Sequence, residues 1–215
     1  LTTITIGSNT YNLCAMPSSP GPAEIELGMS DSVAVVESPF TKVQQVQPWP
    51  GADFWDATVT LPPLSKAQAW AWEGFLAELR GRANVFQLGD PRAVGGLLGS
   101  GLGTPVANTY GGNNLPGTTS LVTAGWAPST FRLLLPGDQF QINYRLHRVC
   151  EQVNSDSGGN ATLAIWPSLR ETPSTGNGLY FASPRGLFRL ASNRRAIHSS
   201  PQRLTTLSFQ CIEVR

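Results

Sequence analysis

Short runs in which polar and apolar residues alternate dominate the chain and predict a β-rich protein. Thr2-Thr3-Ile4-Thr5-Ile6 alternates, Gly7-Ser8-Asn9 supplies a turn, and residues 11–14 return, which is the signature of a hairpin. Residues 23–27 and 32–37 are further strand candidates, the second rich in Val. Residues 54–61 alternate again, with Phe54, Asp56, Thr58 and Thr60 on one face and Trp55, Ala57, Val59 and Leu61 on the other. One face is apolar, so this strand covers a core.

The period changes after Pro62-Pro63. Ser65 with Gln68 three residues on reads as a capping box, Ala, Trp, Glu, Leu and Phe fill residues 66–80, and Gly81 sits where a left-handed C-terminal cap belongs. A single helix over about 65–80 follows. Trp70, Ala71, Gly74, Phe75 and Leu79 form its expected apolar stripe, and Trp72 and Leu76 widen that stripe beyond what one flat sheet needs. Either the helix is wedged between two sheets or its second face meets another subunit. Trp72 and Leu76 are the candidate subunit-interface residues on that account. Residues 83–88 read as a strand that Gly89-Asp90-Pro91 ends.

From 93 to 131 there is no charged residue, and Gly recurs at 95, 96, 99, 101, 103, 111, 112, 117 and 125. Val106, Tyr110, Leu115, Leu121 and Val122 are odd choices for a flexible linker, so short strands joined by glycine turns are expected. Strand patterns return at 131–135, 139–143, 146–153 and 161–166, with turn chemistry at Pro136-Gly137-Asp138 and across 154–160. This spacing suggests a small barrel or sandwich. Residues 204–214, with Leu207, Phe209 and Cys211 on one face, form a last strand whose natural partner is the first unit. The expected fold is mainly β with one α-helix. Its parts are a β-sheet domain over 1–91 plus 192–215, carrying the helix, and an inserted small β-barrel or sandwich domain over 92–191, for which an oligonucleotide/oligosaccharide-binding type of barrel is one form.

Charge sharpens this picture. Only 13% of the 215 residues are charged, about half the ~25% usual in soluble domains. Such a surface suits a protein covered by its neighbours, and equally a loop-rich all-β protein standing alone. The net charge of +1 argues against electrostatically driven binding to nucleic acid, which needs cations concentrated on one face. No run approaches the roughly 20 apolar residues of a membrane span. Residues 1–8 lack the basic start and apolar core of a signal peptide, so secretion by that route is not expected. Cys14, Cys150 and Cys211 have no ligand spacing and read as three free thiols.

Signals for catalysis are weak. His147 and His198 are the only histidines, and no nucleophile elbow exists. The pair His147 and Cys150 suggests an activated thiol, but residues three apart on a strand point to opposite faces. Asp53, Asp56, Asp138 and Asp156 could be imagined as a carboxylate or calcium set. The Asn154-Ser155-Asp156-Ser157-Gly158 segment superficially resembles a calcium loop, yet it lacks the terminal Glu and reads as an Asx-stabilised turn. The glycines of 95–103 precede neither a Lys nor a helix, so they cradle no phosphate. No catalytic, metal or cofactor residues are assigned, and no cofactor is expected. Arg185, Arg189, Arg194, Arg195 and Arg203 crowd the last 31 positions, as a solvated or partner-facing rim or an anion site. Of six tryptophans, Trp49 and Trp126 lie beside prolines in expected loops and are the candidate saccharide contacts.

Several motifs recur in a telling order: Ser38-Pro39-Phe40-Thr41, Gln44-Gln45-Val46, Trp55, Leu61-Pro62-Pro63, the Trp- and Ala-rich helix, and Gly81-Arg82 leading to Phe86-Gln87-Leu88-Gly89-Asp90-Pro91. Leu135-Pro136-Gly137-Asp138-Gln139-Phe140, Arg148-Val149, Ala161-Thr162-Leu163, Ile165-Trp166-Pro167 and Leu169-Arg170 follow. Together they resemble the distal tail and minor tail proteins of tailed bacteriophages, over nearly the whole chain. The resemblance implies a non-enzymatic virion protein, made in the host bacterial cytoplasm and residing at the tail tip. It would form a ring with itself, commonly a hexamer, and meet the tail tube protein and the baseplate hub or other tail-tip proteins. It implies no specific binding to nucleic acid. A host-surface saccharide-binding module is the alternative, and a cell-wall hydrolase ranks last because no motif places an acid/base pair.

Overall fold

In the computed structural model, residues 2–93, 102–108, 114–196, 198–199 and 205–215 are described. Strands β1 (Thr2–Ile6) and β2 (Asn9–Leu13) form the expected hairpin, followed by β3 (Glu24–Ser30). A second hairpin joins β4 (Val33–Glu37) to β5 (Gln44–Pro48), and β6 (Phe54–Thr60) follows it. Helix α1 (Lys66–Glu78) comes next, then β7 (Phe86–Leu88). The glycine-rich part contributes β8 (Gly103–Ala107) and β9 (Ser120–Trp126). Strands β10 (Gln139–Ile142), β11 (Arg145–Val149), β12 (Ala161–Trp166) and β13 (Gly186–Leu190) lead to two-residue strands β14 (His198–Ser199) and β15 (Thr205–Thr206), and β16 (Ser208–Glu213) ends the series. The protein is mainly β with one helix among the described residues. Gly95, Gly96, Gly99, Gly101, Tyr110, Gly111, Gly112 and Arg203 lie outside the described residues.

Five strands in the order β3-β6-β16-β13-β7 make the first sheet, antiparallel throughout. The alternation in β6 places Trp55, Ala57 and Val59 inward, where they meet Leu207, Phe209 and Cys211, the apolar face expected of the last strand. Gly186–Leu190 also belongs to this sheet, pairing with β7 and β16, although it falls within the 92–191 span expected to form the inserted unit. Its Leu187, Phe188 and Leu190 are all buried, so the sheet gains its apolar content from a strand distant in sequence.

Helix α1 covers the inner face of this sheet. Gln68 Oε1 accepts from the Ser65 backbone N–H at 2.9 Å and from its hydroxyl at 2.8 Å, fixing the first turn. The helix ends because Arg80 and Gly81 both take left-handed backbone angles, φ 48° and 68°. Asn84 Nδ2 then donates to the Glu78 carbonyl at 2.7 Å, capping an otherwise orphaned acceptor. Ala69, Trp72, Phe75, Leu76 and Leu79 are buried, and Trp72 stands edge-on to Phe75 at 5.8 Å.

The second sheet, β10-β11-β12-β9-β8, curls into a half-barrel. Residues 177–180 bond to both of its edges: Leu179 N–H donates to the Pro105 carbonyl at 2.9 Å, and Tyr180 and Gln141 exchange a pair of bonds at 2.9 and 2.8 Å. Phe140, Leu121, Leu163 and Leu133 fill its interior.

The two sheets are joined by polar bonds in a dry setting. The β10–β11 hairpin turns through Asn143 and Tyr144, both left-handed, and its tip reaches the first sheet, where Leu187 N–H donates to the Tyr144 carbonyl at 3.0 Å. Trp55 Nε1 donates to the Leu146 carbonyl at 2.9 Å. Arg145 pairs with Glu171 and bonds the Val214 carbonyl, while Arg170 pairs with Glu213 at 3.3 Å. Removing one partner of the buried Arg170–Glu213 pair leaves a charge without compensation, at a cost of about 3–5 kcal/mol.

Candidate assembly surface

The largest group of exposed apolar residues among the described ones lies on the β4–β5 hairpin. All ten strand residues of the β4–β5 hairpin are exposed on both faces. Val33-Ala34-Val35-Val36 does not alternate, so valines point to both sides of a two-stranded ribbon. Val36 is 65% exposed and Phe40, in the connecting turn, 94%. Val35, Val43, Val46 and Trp49 are exposed as well. Charges on the hairpin neutralise each other: Glu37 accepts from Gln44 at 3.1 Å and pairs with Lys42 at 3.1 Å, which together hold its carboxyl below the usual range.

Packing on α1 corrects the expected interface. Trp72 is 0% exposed and Leu76 is buried beside it, so both belong to the chain's own core rather than to a contact with another subunit. Helical geometry explains the exchange, because Trp70 lies two residues away and therefore on the opposite side. Trp70 is 61% exposed, with the Lys66 ammonium 4.5 Å from its ring centre, instead of joining the apolar stripe. Ala67, Ala71, Gly74 and Ala77 are exposed on the same outward side.

The saccharide candidates separate. Trp126 is buried, its Nε1 donating to Thr123 at 2.7 Å and its ring 5.8 Å from Phe181, so it has no free face for a sugar. Trp49 remains exposed at the end of the β4–β5 hairpin, its backbone N–H held by the Ser32 carbonyl at 3.0 Å.

Groups that could support catalysis are held in structural roles. His147 is buried, and its Nδ1 lies 2.9 Å from the Pro167 carbonyl. A carbonyl only accepts, so Nδ1 carries the proton. Burial lowers the imidazole pKa to about 4, the Pro167 bond opposing. Cys150 is exposed, and partial desolvation, then the charge of Glu151, raise its thiol pKa. Cys14 is raised by desolvation and then by Glu78, and Cys211 by desolvation and then by Asp56. None of the three is poised as a thiolate.

The aspartates serve turns and joints. Asp156 Oδ1 accepts the N–H groups of Gly158 and Asn160, each at 2.8 Å, which with the Asn160 side chain lowers its pKa and forms the Asx turn. Asp53 accepts from both the hydroxyl and backbone N–H of Ser168, and Asp138 accepts the Leu135 N–H at 2.9 Å. Asp56 accepts from the Ser30 hydroxyl at 2.7 Å. Among the described residues, no group of three His, Cys, Asp or Glu could hold a metal ion.

Among the described residues, the arginines near the C-terminus lie in three separate places. Arg189 lies 5.8 Å over the Tyr11 ring, Arg185 lines a groove with Gln87 and Tyr180, and Arg194 and Arg195 line another beside Thr60 and Leu76. Among the described residues, no helix is long and apolar enough to cross a membrane.

Sequence patterning located the helix and the inward faces of β6 and β16, but it missed β5, β13 and the significance of β4. The available signal was the run Val33-Ala34-Val35-Val36, apolar on both faces, which a strand with one covered side does not need. No protein-family model matches the chain, and no curated protein proved similar to it.

Proposed function

We propose that this chain is a non-enzymatic structural subunit of a bacteriophage tail, assembling as a ring at the distal end of the tail tube. The observation that carries the proposal is the β4–β5 hairpin, whose apolar side chains are exposed on both faces. A two-stranded hairpin alone is marginal in water, and monomers rarely expose apolar patches this large. Such a hairpin is stabilised by what covers it. Repeating one such contact head to tail closes a ring when the rotation divides the circle.

Two further features support an architectural role. The sheet and half-barrel are bound by the buried Arg170–Glu213 pair, the half-buried Arg145–Glu171 pair and buried hydrogen bonds, which suits a rigid architectural part. The low charge of the chain suits a surface largely enclosed by neighbours, since charges are depleted at interface cores. The motif order that resembles distal tail and minor tail proteins supplies the location: a ring between tail tube and baseplate hub, hexameric by that resemblance.

Electron microscopy of virions labelled with an antibody to the chain tests this proposal. Label at one end of the tail, in a ring-shaped feature, is expected. Purified virions that contain no trace of the chain would overturn it.

A further inference from the structure

We propose that the β4–β5 hairpin of one copy seats on the outer face of α1, around Trp70, of a neighbouring copy. This rests on the self-assembly reading above and names the two surfaces that meet. The occupant follows from area, charge and position.

Area comes first. Five valines, Phe40 and Trp49 leave apolar surface of roughly several hundred Å² in all, divided between the two faces of the ribbon. That total is comparable with the ~300–600 Å² of the largest patch on a typical monomer. It calls for a protein surface of comparable extent rather than a small ligand.

Charge narrows the choice. Lys42 and Glu37 neutralise each other within the hairpin, so it offers no net charge to a polyanion or an acidic membrane. Its counterpart is therefore largely apolar. The outward side of α1 offers such a patch, Trp70 exposed among Ala67, Ala71, Gly74 and Ala77, with the Lys66 ammonium over the Trp70 ring and Glu78 exposed toward the helix end.

Position makes the contact one between copies. The hairpin leaves the sheet where Ser30 faces Phe54, whereas α1 begins beyond the far end of β6, where Glu24 faces Thr60. Seven strand residues, roughly 23 Å, separate the two ends. Trp70 sits in the second turn of α1, at the remote end, and no part of the chain's own helix covers the hairpin. A projecting element at one end and a receiving face at the other make a heterologous contact.

Two measurements test the pairing. Light scattering over rising concentration is expected to show the native chain above its single-chain mass, and the double variant Val36→Ser with Phe40→Ser at single-chain mass with an unchanged circular dichroism spectrum. In a Cys150→Ser background, a Val36→Cys preparation is mixed with a Trp70→Cys preparation and oxidised. A disulfide joining the two different chains is expected. Crosslinks confined to pairs of Val36→Cys chains would mean hairpin-to-hairpin pairing and would overturn the proposal. A native chain that stays at single-chain mass at every concentration would do the same, even where virions are found to contain it. Oligomers that crosslink as expected from a chain absent from virions would leave the pairing standing and remove the tail assignment instead.

Discussion

The two hairpins that open the chain have equal strand lengths and opposite fates. In β1–β2, strict alternation sends Ile4 and Ile6 to one side, where they are buried with Val85, Leu187 and Val214. In β4–β5, valines occupy both sides and every strand residue is exposed. The first hairpin is packed against its own chain, and the second is not. Trp72 and Trp70 repeat the contrast on α1, one wholly enclosed and the other turned outward. An alternating strand needs one layer over it. A strand apolar on both faces needs two, and here the chain provides neither.

The contrast should be largest for the tryptophans. Trp72→Ala is expected to lower the unfolding free energy by about 4 kcal/mol, as truncation of an aromatic core residue does. Trp70→Ala should stay within about 0.5 kcal/mol, as exposed substitutions do. Urea unfolding of both variants checks the pair, and comparable losses would contradict the assigned helix faces.

Complete enclosure also makes a pH prediction. His147 is held neutral with its pKa lowered from 6.5 to about 4, so the unfolded chain takes up the proton first as pH falls. Its contribution to stability is therefore full above pH 6.5 and is lost as the pH descends toward 4, by up to about 3 kcal/mol. Glu213, raised by burial against the pull of Arg170, acts in the opposite sense. The difference between native and His147→Gln unfolding curves isolates the imidazole, and this difference should shrink as pH falls through that window.

Within the hairpins the effects are smaller. Ile6→Ala should cost about 2 kcal/mol, the low end for a buried aliphatic, because its cluster is small. Val36→Thr should change the stability of the isolated chain by less than about 0.5 kcal/mol. Thermal melts of the two variants at low concentration measure this difference, and an equally large loss for Val36→Thr would show the second hairpin to be packed within its own chain.

The helix, its Ser65–Gln68 start and the inward faces of β6 and β16 were legible because each rests on residues close in sequence. The faces of α1 were harder to read. Ten of its thirteen residues are Ala, Trp, Gly, Phe, Leu or Gln, so hydrophobicity alone barely distinguishes its sides. Trp72 was therefore expected at an interface and Trp70 in the apolar stripe. Trp126 likewise sat beside a proline in an uncharged stretch, with no local sign that Thr123 and Phe181 would enclose it.

The sequence by itself determined the helix and most of the strands, because period, caps and turn residues act over a few neighbours. Only the tertiary structure decided that β13 joins the first sheet, that Arg145 and Arg170 find carboxylate partners, and that one hairpin of two is left uncovered. Burial is a property of what lies across from a residue, and those neighbours are often more than a hundred positions away along the chain.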